Sequence, residues 1–246
     1  MACDDCSVEV NGERLVLDPS GAAWWPAEST LVFADLHLEK GSAYARGGQL
    51  LPPYDTRTTL KHVEAVVARR GPKRVIALGD SFHDGGASER LDERECAALK
   101  ALCGACQWLW IEGNHDPAPP AWLGGTVASQ AAIGGLVFRH RPGAGACRGE
   151  LAGHLHPAVR IRRRGMSLRR RCFVSNGERL LLPAFGAFTG GLDVSDAVVA
   201  ALFEGGFAVY ALGSERVYAV ADQLLRRKKN VEPQPSRIAI RTVETP

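Results

Sequence analysis

Six of the seven histidines in this 246-residue chain stand beside Asp, Asn or Gly where an apolar run gives way to polar residues. They are His37 in "LVFADLHLEK", His83 in "GDSFHD", His115 in "GNHD", His140 in "FRHRP", and His154 and His156 in "GHLHP". Only His62, inside a helical pattern, reads as ordinary packing or a solvated face. A lone His is more often a satisfied core residue than a ligand, but six at successive strand tips form a pattern. Asp35, Asp80 and Asn114 sit at the same tips and add oxygen donors. With His37, His140, His154 and His156 they make seven protein donors, more than the four to six that one divalent cation takes. If one carboxylate bridges, the set suits two ions with positions left for water and substrate. Two ions about 3.5–4 Å apart can hold a bridging hydroxide and stabilise the attacking and leaving oxygens of phosphoryl transfer.

The spacing supports such a site. Asp35 and His37 are two apart, as are His154 and His156, so each pair can project to one side of an extended segment. Asn114 and His115 are adjacent and should diverge, which frees His115 for a proton or a substrate phosphate. Gly79, Gly113 and Gly153 precede key positions, where the chain has to pass close to the ions. Asp35 ends the apolar run Leu31 to Ala34, where an ionised carboxylate costs several kcal/mol unless something pairs with it.

The elements that must position these residues alternate through the first half. "VEVNGERLVLD" reads as a hairpin turning at Asn11-Gly12. A strand at Leu31 to Ala34 follows, then a long irregular excursion over "GSAYARGGQLLPPY". A helix starts near Asp55 and stops at Gly71-Pro72, and "RVIALGD" is the next strand. A second helix around "DERECAALKALCG" carries a capping box from Asp92 and Glu95. "QWLWI" is a strand whose Trp108 and Trp110 read as core, whereas Trp24 and Trp25 could face either way. Beyond "GHLHP" short strands dominate: "RIRRR", "RRRCFVS", "ERLLLP", "VVAALFEGG" and "FAVYALGSERVYAV". With no linker between the halves, residues 1–225 read as one domain of packed sheets with helices outside, and 226–246 as a polar, partly disordered tail.

Composition sets the class. Hydrophobic residues at 46% and charged residues at 23% describe an ordinary globular protein. The N-terminus is acidic without an apolar stretch of the signal-peptide kind, and no run approaches the roughly 20 apolar residues of a spanning helix. A cytoplasmic location and no membrane partner are therefore expected. Seven cysteines argue against a disulfide framework. Cys3 with Cys6 and Cys103 with Cys106 have zinc-like spacing, though reduced structural thiols are the default reading. The net charge of +3 hides two clusters, "RIRRRGMSLRRR" at Arg160 to Arg171 and "RRKK" at Arg226 to Lys229, which either track phosphates or are solvated.

Taken in order, Asp-Leu-His, "GDSFHD", "GNHD", "RHRP" and "GHLHP" resemble the motif series of the calcineurin-like metallophosphoesterases. The wording of "FADLHLEKGSAYARGG", "LPPYDT", "AGHLHP" and "LPAFGAFTGGL" is similar to the bacterial ligase-associated DNA damage response endonucleases. The resemblance implies an α/β (α+β) fold, a four-layer αββα sandwich of two mixed β-sheets flanked by helices. It implies one ion held by Asp35, His37, Asp80 and His156, and a second by Asp80, Asn114, His140 and His154. His115 would protonate the leaving oxygen or stabilise the transition state, with Asp116 orienting it. His83 matches a position that nuclease-like members use near the scissile phosphate. Arg139 departs from the Gly often found before this His, and Arg141 either reaches a substrate phosphate or is solvated. The superfamily favours Mn²⁺, while the donor set also suits Fe²⁺ or Zn²⁺.

The expected activity is two-metal phosphodiester hydrolysis with metal-bound hydroxide as nucleophile, on DNA and linked to repair. By resemblance alone, a DNA ligase, a helicase and an exonuclease would be partners. The alternatives are a phosphatase or diesterase for a nucleotide-like small molecule, and a non-catalytic binding scaffold. A scaffold is expected to have lost ligands, and all seven are present.

Overall fold

Asn11 and Gly12, both left-handed at φ 49° and 83°, turn strand β1 (Ser7–Val10) into β2 (Glu13–Leu17), the expected hairpin. The computed structural model describes residues 6–116, 119–163, 166–203 and 205–221. Cys3, "RRKK" and the expected tail 226–246 lie outside the described residues. The chain continues through β3 (Ala23–Trp25) and β4 (Thr30–Phe33) to helices α1 (Lys40–Arg46) and α2 (Asp55–Arg70). Strand β5 (Arg74–Leu78), helix α3 (Glu93–Ala105) and strands β6 (Gln107–Ile111) and β7 (Thr126–Ala128) follow. These seven strands form one sheet in sequence order, antiparallel from β1 to β4 and parallel from β4 to β7.

The second half builds the second sheet from β8 (Gln130–Ile133), β9 (Leu136–Arg139), β10 (Glu150–Ala152) and β11 (Ala158–Arg163). It is completed by β12 (Met166–Ser175), β13 (Arg179–Leu181), β14 (Ala208–Leu212) and β15 (Val217–Val220), with the short helix α4 (Ala197–Ala200) between. The order is β15-β14-β12-β13-β10-β9-β8, and β11 pairs with β12. Strands β9, β10 and β13 run parallel; the other pairings are antiparallel.

Three apolar clusters divide the molecule into layers. Between the sheets, Trp25, Val32, Ile76 and Ile111 meet Phe138, Leu151, Phe173 and Leu180. On the far face of the first sheet, Leu31, Phe33, Trp108 and Trp110 pack on Leu60, Val63 and Leu99 of α2 and α3. On the far face of the second, Val174, Leu181 and Val209 pack on Val199 of α4 and on Phe203. Each such side chain, fully buried, contributes about 1.5–3 kcal/mol, so these clusters fix where the strand tips stand. The result is the expected sandwich of two mixed sheets with flanking helices. Among the described residues no helix is long and apolar enough to cross a membrane.

Two elements differ from the sequence expectation. "GSAYARGGQLLPPY", expected as irregular, begins in α1, whose first turn is anchored by the Gly41 N–H donating to Asp55 Oδ2 at 2.8 Å. Of "VVAALFEGG", expected as a strand, Val198–Ala200 lie in α4, which the Asp196 carboxylate caps by accepting from the Val198 N–H. The other local signals hold. Helix α2 stops on left-handed Gly71, and the Asp92–Glu95 capping box is present in both directions.

Candidate metal centre

Parallel β4, β5 and β6 end at one edge of their sheet, as do β9, β10 and β13 in the other. Every expected site residue lies on a loop leaving one of these strands, the usual place for a site in an α/β sheet. The loops after β4 and β5 are joined by main-chain bonds. The Asp35 N–H donates to Gly79 O (3.3 Å), His37 N–H to Asp80 O (2.9 Å), and His83 N–H to Leu38 O (2.9 Å). Leu36, Leu38 and Phe82 point into the helix-side core.

The expected extended segment at Asp35 to His37 is not a strand, since β4 ends at Phe33. Asp35 and His37 reach one side because both are left-handed, at φ 54° and 45°. His154 and His156 do the same at 68° and 46°, and Asp80 stands at 46°. Each such non-glycine residue costs about 1 kcal/mol or more, a strain that persists only where the surroundings hold it and that clusters at functional sites.

Glycine is required where these loops touch. At Gly79 (φ 74°) a Cβ would stand 2.6 Å from His140 Cγ and Nδ1. At Gly113 it would overlap the Asp80 main chain, and at Gly153 it would lie 2.5 Å from Asp35 Oδ2. The loop after β13 is pressed as closely, with Gly186 against the Leu36 carbonyl and Gly191 against that of His156. That contact gives "LPAFGAFTGGL" a physical reason.

Two groups of donors converge. In the first, Asp35 Oδ1 is 3.3 Å from His156 Nε2, which is 3.3 Å from His37 Nε2. In the second, His140 Nε2 is 2.9 Å from Asn114 Oδ1, 3.1 Å from His154 Nδ1 and 3.3 Å from Asp80 Oδ2. Asp80 Oδ2 also lies 3.9 Å from His37 Nε2, so this carboxylate stands between the groups. Asp35, His37 and His156, and Asp80, His140 and His154, are the two sets among the described residues whose ligand atoms lie within 4.8 Å of one another.

The donor chemistry fits cations. His140 Nδ1 faces Leu78 O at 2.9 Å, so in the neutral ring Nδ1 donates and Nε2 carries a lone pair. That lone pair faces Asn114 Oδ1, His154 Nδ1 and Asp80 Oδ2, a set of donor atoms that a cation would hold together. Buried Asp35 and Asp80 have ion-pair contacts only to imidazoles among the described residues. Burial, with His156 close by, pushes His37 down to about 3, leaving it neutral and able to ligate. Burial works to raise Asp80, yet the contacts from His140 and the His115 N–H hold it below the carboxylate range. Burial lowers His154 as well, while in His140 the neighbouring Asp80 and Asp35 outweigh burial and raise it.

Around this core, His115 and His83 form the open rim. The His115 N–H donates to Asp80 Oδ1 (2.9 Å), its Nδ1 faces the His83 carbonyl (2.8 Å), and its Nε2 is 3.9 Å from Asp80 Oδ2. The two rings stack at 5.2 Å and 24°. Asp116, expected to orient His115, accepts from the Phe82 N–H at 2.9 Å, and burial pushes it up to about 7. Its carboxylate is turned toward the loop after β5, and the His83 main chain holds the His115 ring. Arg141 is exposed, with Nε 3.4 Å from Asn114 Oδ1. Arg139 is turned away to Glu150, 3.4 Å off. Tyr44 of α1, beside His83, was not legible in a segment expected to be irregular; its helical i, i+4 spacing from Lys40, just before that segment, was the available signal. Cys103 and Cys106 pack against the helix-side core, and burial pushes the Cys103 thiol up to about 12.

Residues 29–158 match the calcineurin-like phosphoesterase family. Among solved structures, the chain is similar to the Pseudomonas putida nuclease MPE, with 28% identity and a TM-score of 0.69 over 88% of this chain and 100% of that one. A phosphoesterase from E. coli, Yfce, aligns over 80% of this chain and 99% of its own at 13% identity, with a TM-score of 0.38 that carries no argument. No curated protein matches the chain. The matched segment runs from β4 to the start of β11 and contains both donor groups, Asp80 among them. The chain belongs to the calcineurin-like phosphoesterase family and is a binuclear metal-dependent phosphoester hydrolase.

Proposed function

We propose that the protein is a phosphodiesterase acting on nucleic acid, a DNA endonuclease working in repair. The observation that carries this reading is how the Arg-rich hairpin joins the metal centre. In the β11–β12 register Arg160 pairs with Arg169 and Ala158 with Arg171, which puts Arg160, Arg162, Arg169 and Arg171 on one face. From that face Arg169 Nη2 donates to Gly191 O, and Arg171 Nη1 donates to Ala184 O and Phe185 O. These carbonyls belong to the loop that packs on Asp35, Leu36 and His156. Arg160 and Arg162 are exposed, and none of these four guanidiniums is paired with a carboxylate among the described residues. Like charges opposite one another across strands are destabilising, so the face makes physical sense as a track for phosphates. The likeness to a nuclease over 88% of the chain supports the same reading.

In this reading Asp35, His37, Asp80 and His156 hold one divalent ion, and Asp80, Asn114, His140 and His154 the other. When bound, the ions supply an activated water and neutralise charge on the phosphoryl oxygens. With Nδ1–H committed to the His83 carbonyl, His115 in its imidazolium form presents Nε2–H to the leaving oxygen. His83 stands on the rim to contact the scissile phosphate, and Arg141 lies where it can take a non-bridging oxygen. Asp116 fixes the loop after β5 through Phe82. Mn²⁺ is the first candidate, before Fe²⁺ or Zn²⁺. Residues 1–225 form the catalytic domain, the location is cytoplasmic, and a ligase, a helicase and an exonuclease are the partners to examine.

The test compares a bis-aryl phosphate, a mono-aryl phosphate, and single- and double-stranded DNA, each with Mn²⁺. Cleavage of DNA and of the diester is expected, with a salt dependence that flattens in Arg160→Gln/Arg162→Gln. Strong monoester turnover without DNA cleavage would move the protein to small-molecule phosphatases.

A further inference from the structure

The carbonyl that faces His115 Nδ1 belongs to the peptide between His83 and Asp84, so its direction depends on what fixes those two residues. On the near side, the His83 N–H donates to Leu38 O at 2.9 Å. On the far side the anchor is a side chain. Arg90 Nη1 and Nη2 donate to Asp84 Oδ1 and Oδ2 at 2.9 and 2.8 Å, a two-pronged contact that holds the carboxyl below its usual range. Asp84 Oδ1 also accepts from the Gly86 N–H at 2.9 Å, which tightens the turn between the two residues. The Arg90 side chain is only 14% exposed, so its guanidinium is fixed in the fold, unlike that of a surface pair.

The same guanidinium has a second set of partners at α1. Its Nε donates to Ser42 Oγ at 2.8 Å, and Nη2 lies 3.4 Å from Glu39 O. Ser42 Oγ donates in turn to Glu39 Oε2 at 2.6 Å, and Thr56 Oγ1 of α2 donates to Glu39 Oε1 at 2.8 Å. Arg90 therefore fastens the loop after β5 onto the start of α1 and, through buried Glu39, onto α2. None of these contacts is made to one of the seven ion donors.

We propose that Arg90 and Asp84 form a clamp that positions His115 for proton transfer: they hold the His83 carbonyl in place, and that carbonyl aims the imidazole Nε2–H at the leaving oxygen. Both are positioning residues and touch no reacting atom. The inference rests on the role of His115 proposed above and adds what keeps its ring aimed. In the step served, the P–O bond breaks with its electron pair passing to the leaving oxygen, which takes the Nε2 proton. The attacking water forms the new P–O bond and releases a proton. A displacement of about 1 Å in a group that must be aimed costs on the order of 10²-fold in rate.

The experiment uses the full chain with Mn²⁺ and two diesters, bis(4-nitrophenyl) phosphate and diphenyl phosphate. Nitrophenolate departs readily without a proton, whereas phenolate is the poorer leaving group and gains from one. The readout is the ratio of kcat for the diphenyl ester to kcat for the nitrophenyl ester, with metal content measured alongside. His115→Ala is expected to lower that ratio by about 10²-fold, the low end of what a general acid supplies. Arg90→Ala and Asp84→Asn are expected to lower it by about 10- to 100-fold with two ions retained. Arg90→Lys keeps the charge without the fork and is expected to behave as Arg90→Ala does. Arg90→Ala/His115→Ala should fall no further than His115→Ala. An equal loss on both esters, as general loosening of the fold gives, refutes the clamp, and so does a rise in KM with the ratio unchanged. A double-variant ratio below that of His115→Ala also refutes it. Asp84→Asn keeps the outline of its side chain and serves as the test if Arg90→Ala folds poorly. If His115→Ala itself leaves the ratio at the wild-type value, the role proposed for His115 fails, and the clamp with it.

Discussion

Replacing Gly79 by Ala tests whether a single close contact holds the second donor group together. Gly79 is left-handed at φ 74°, and an alanine there costs about 1–2 kcal/mol in backbone strain. Its Cβ would also sit 2.6 Å from His140 Cγ and Nδ1 and 2.7 Å from His140 Cβ, so the imidazole must retreat by most of an ångström. The ring is pinned at both ends, by Leu78 O at 2.9 Å and Asn114 Oδ1 at 2.9 Å, and that retreat breaks at least one bond worth about 1 kcal/mol. Gly79→Ala is therefore expected to lose about 2–3 kcal/mol in urea unfolding with EDTA present. The same variant should bind about one ion per chain rather than two by elemental analysis, since Asp35, His37 and His156 are not displaced. Turnover should fall with the second ion. A variant that keeps two ions and wild-type turnover would show that His140 is not held as described.

Other expectations follow from the same contacts. His115→Ala should lower kcat by about 10²–10⁴-fold with metal content unchanged, and loss of the ions along with activity would contradict its role as proton donor. Buried Arg179 binds Glu150 and donates to the carbonyls of Leu202, Gly143 and Gly145; Arg179→Met leaves Glu150 without its main partner and should cost about 3–5 kcal/mol in chemical denaturation. Buried Asp18 accepts from Arg69 at 2.8 Å and from Arg70 at 3.1 Å. Burial works to raise its pKa, but the Ser20 and Arg69 contacts prevail and lower it. The stability this adds is complete above the ordinary carboxylate value of about pH 4 and fades as pH falls through the lower folded value. Asp18→Asn should flatten the acid limb of the stability profile below that pH, and an unchanged limb would refute the assignment.

Much of this was legible in the sequence because ligands and glycines are local signals. The seven donors, the rim histidines and the close-approach glycines could be named from residue type and position at strand ends. The hairpin at Asn11-Gly12, the Asp92–Glu95 box and the stop at Gly71 are likewise fixed by neighbours in the chain. What could not be read depends on contacts distant in sequence or on backbone handedness. The two-apart spacing of Asp35 and His37 suggested an extended segment, whereas left-handed residues achieve the same projection. His115 is held by the main chain of His83, 32 residues away, and its neighbour Asp116 accepts from the Phe82 N–H, contacts that no local pattern announces. Helix α4 was missed because Val198 and Val199 are β-branched and apolar, and one cap at Asp196 together with burial of Val199 decides otherwise.

The central claim is that two ions share Asp80. Anomalous scattering from crystals grown with Mn²⁺ tests it directly. Two peaks are expected, one among Asp35, His37 and His156 and one among Asn114, His140 and His154, both in contact with Asp80. A single peak, or a pair without Asp80 between them, would contradict it.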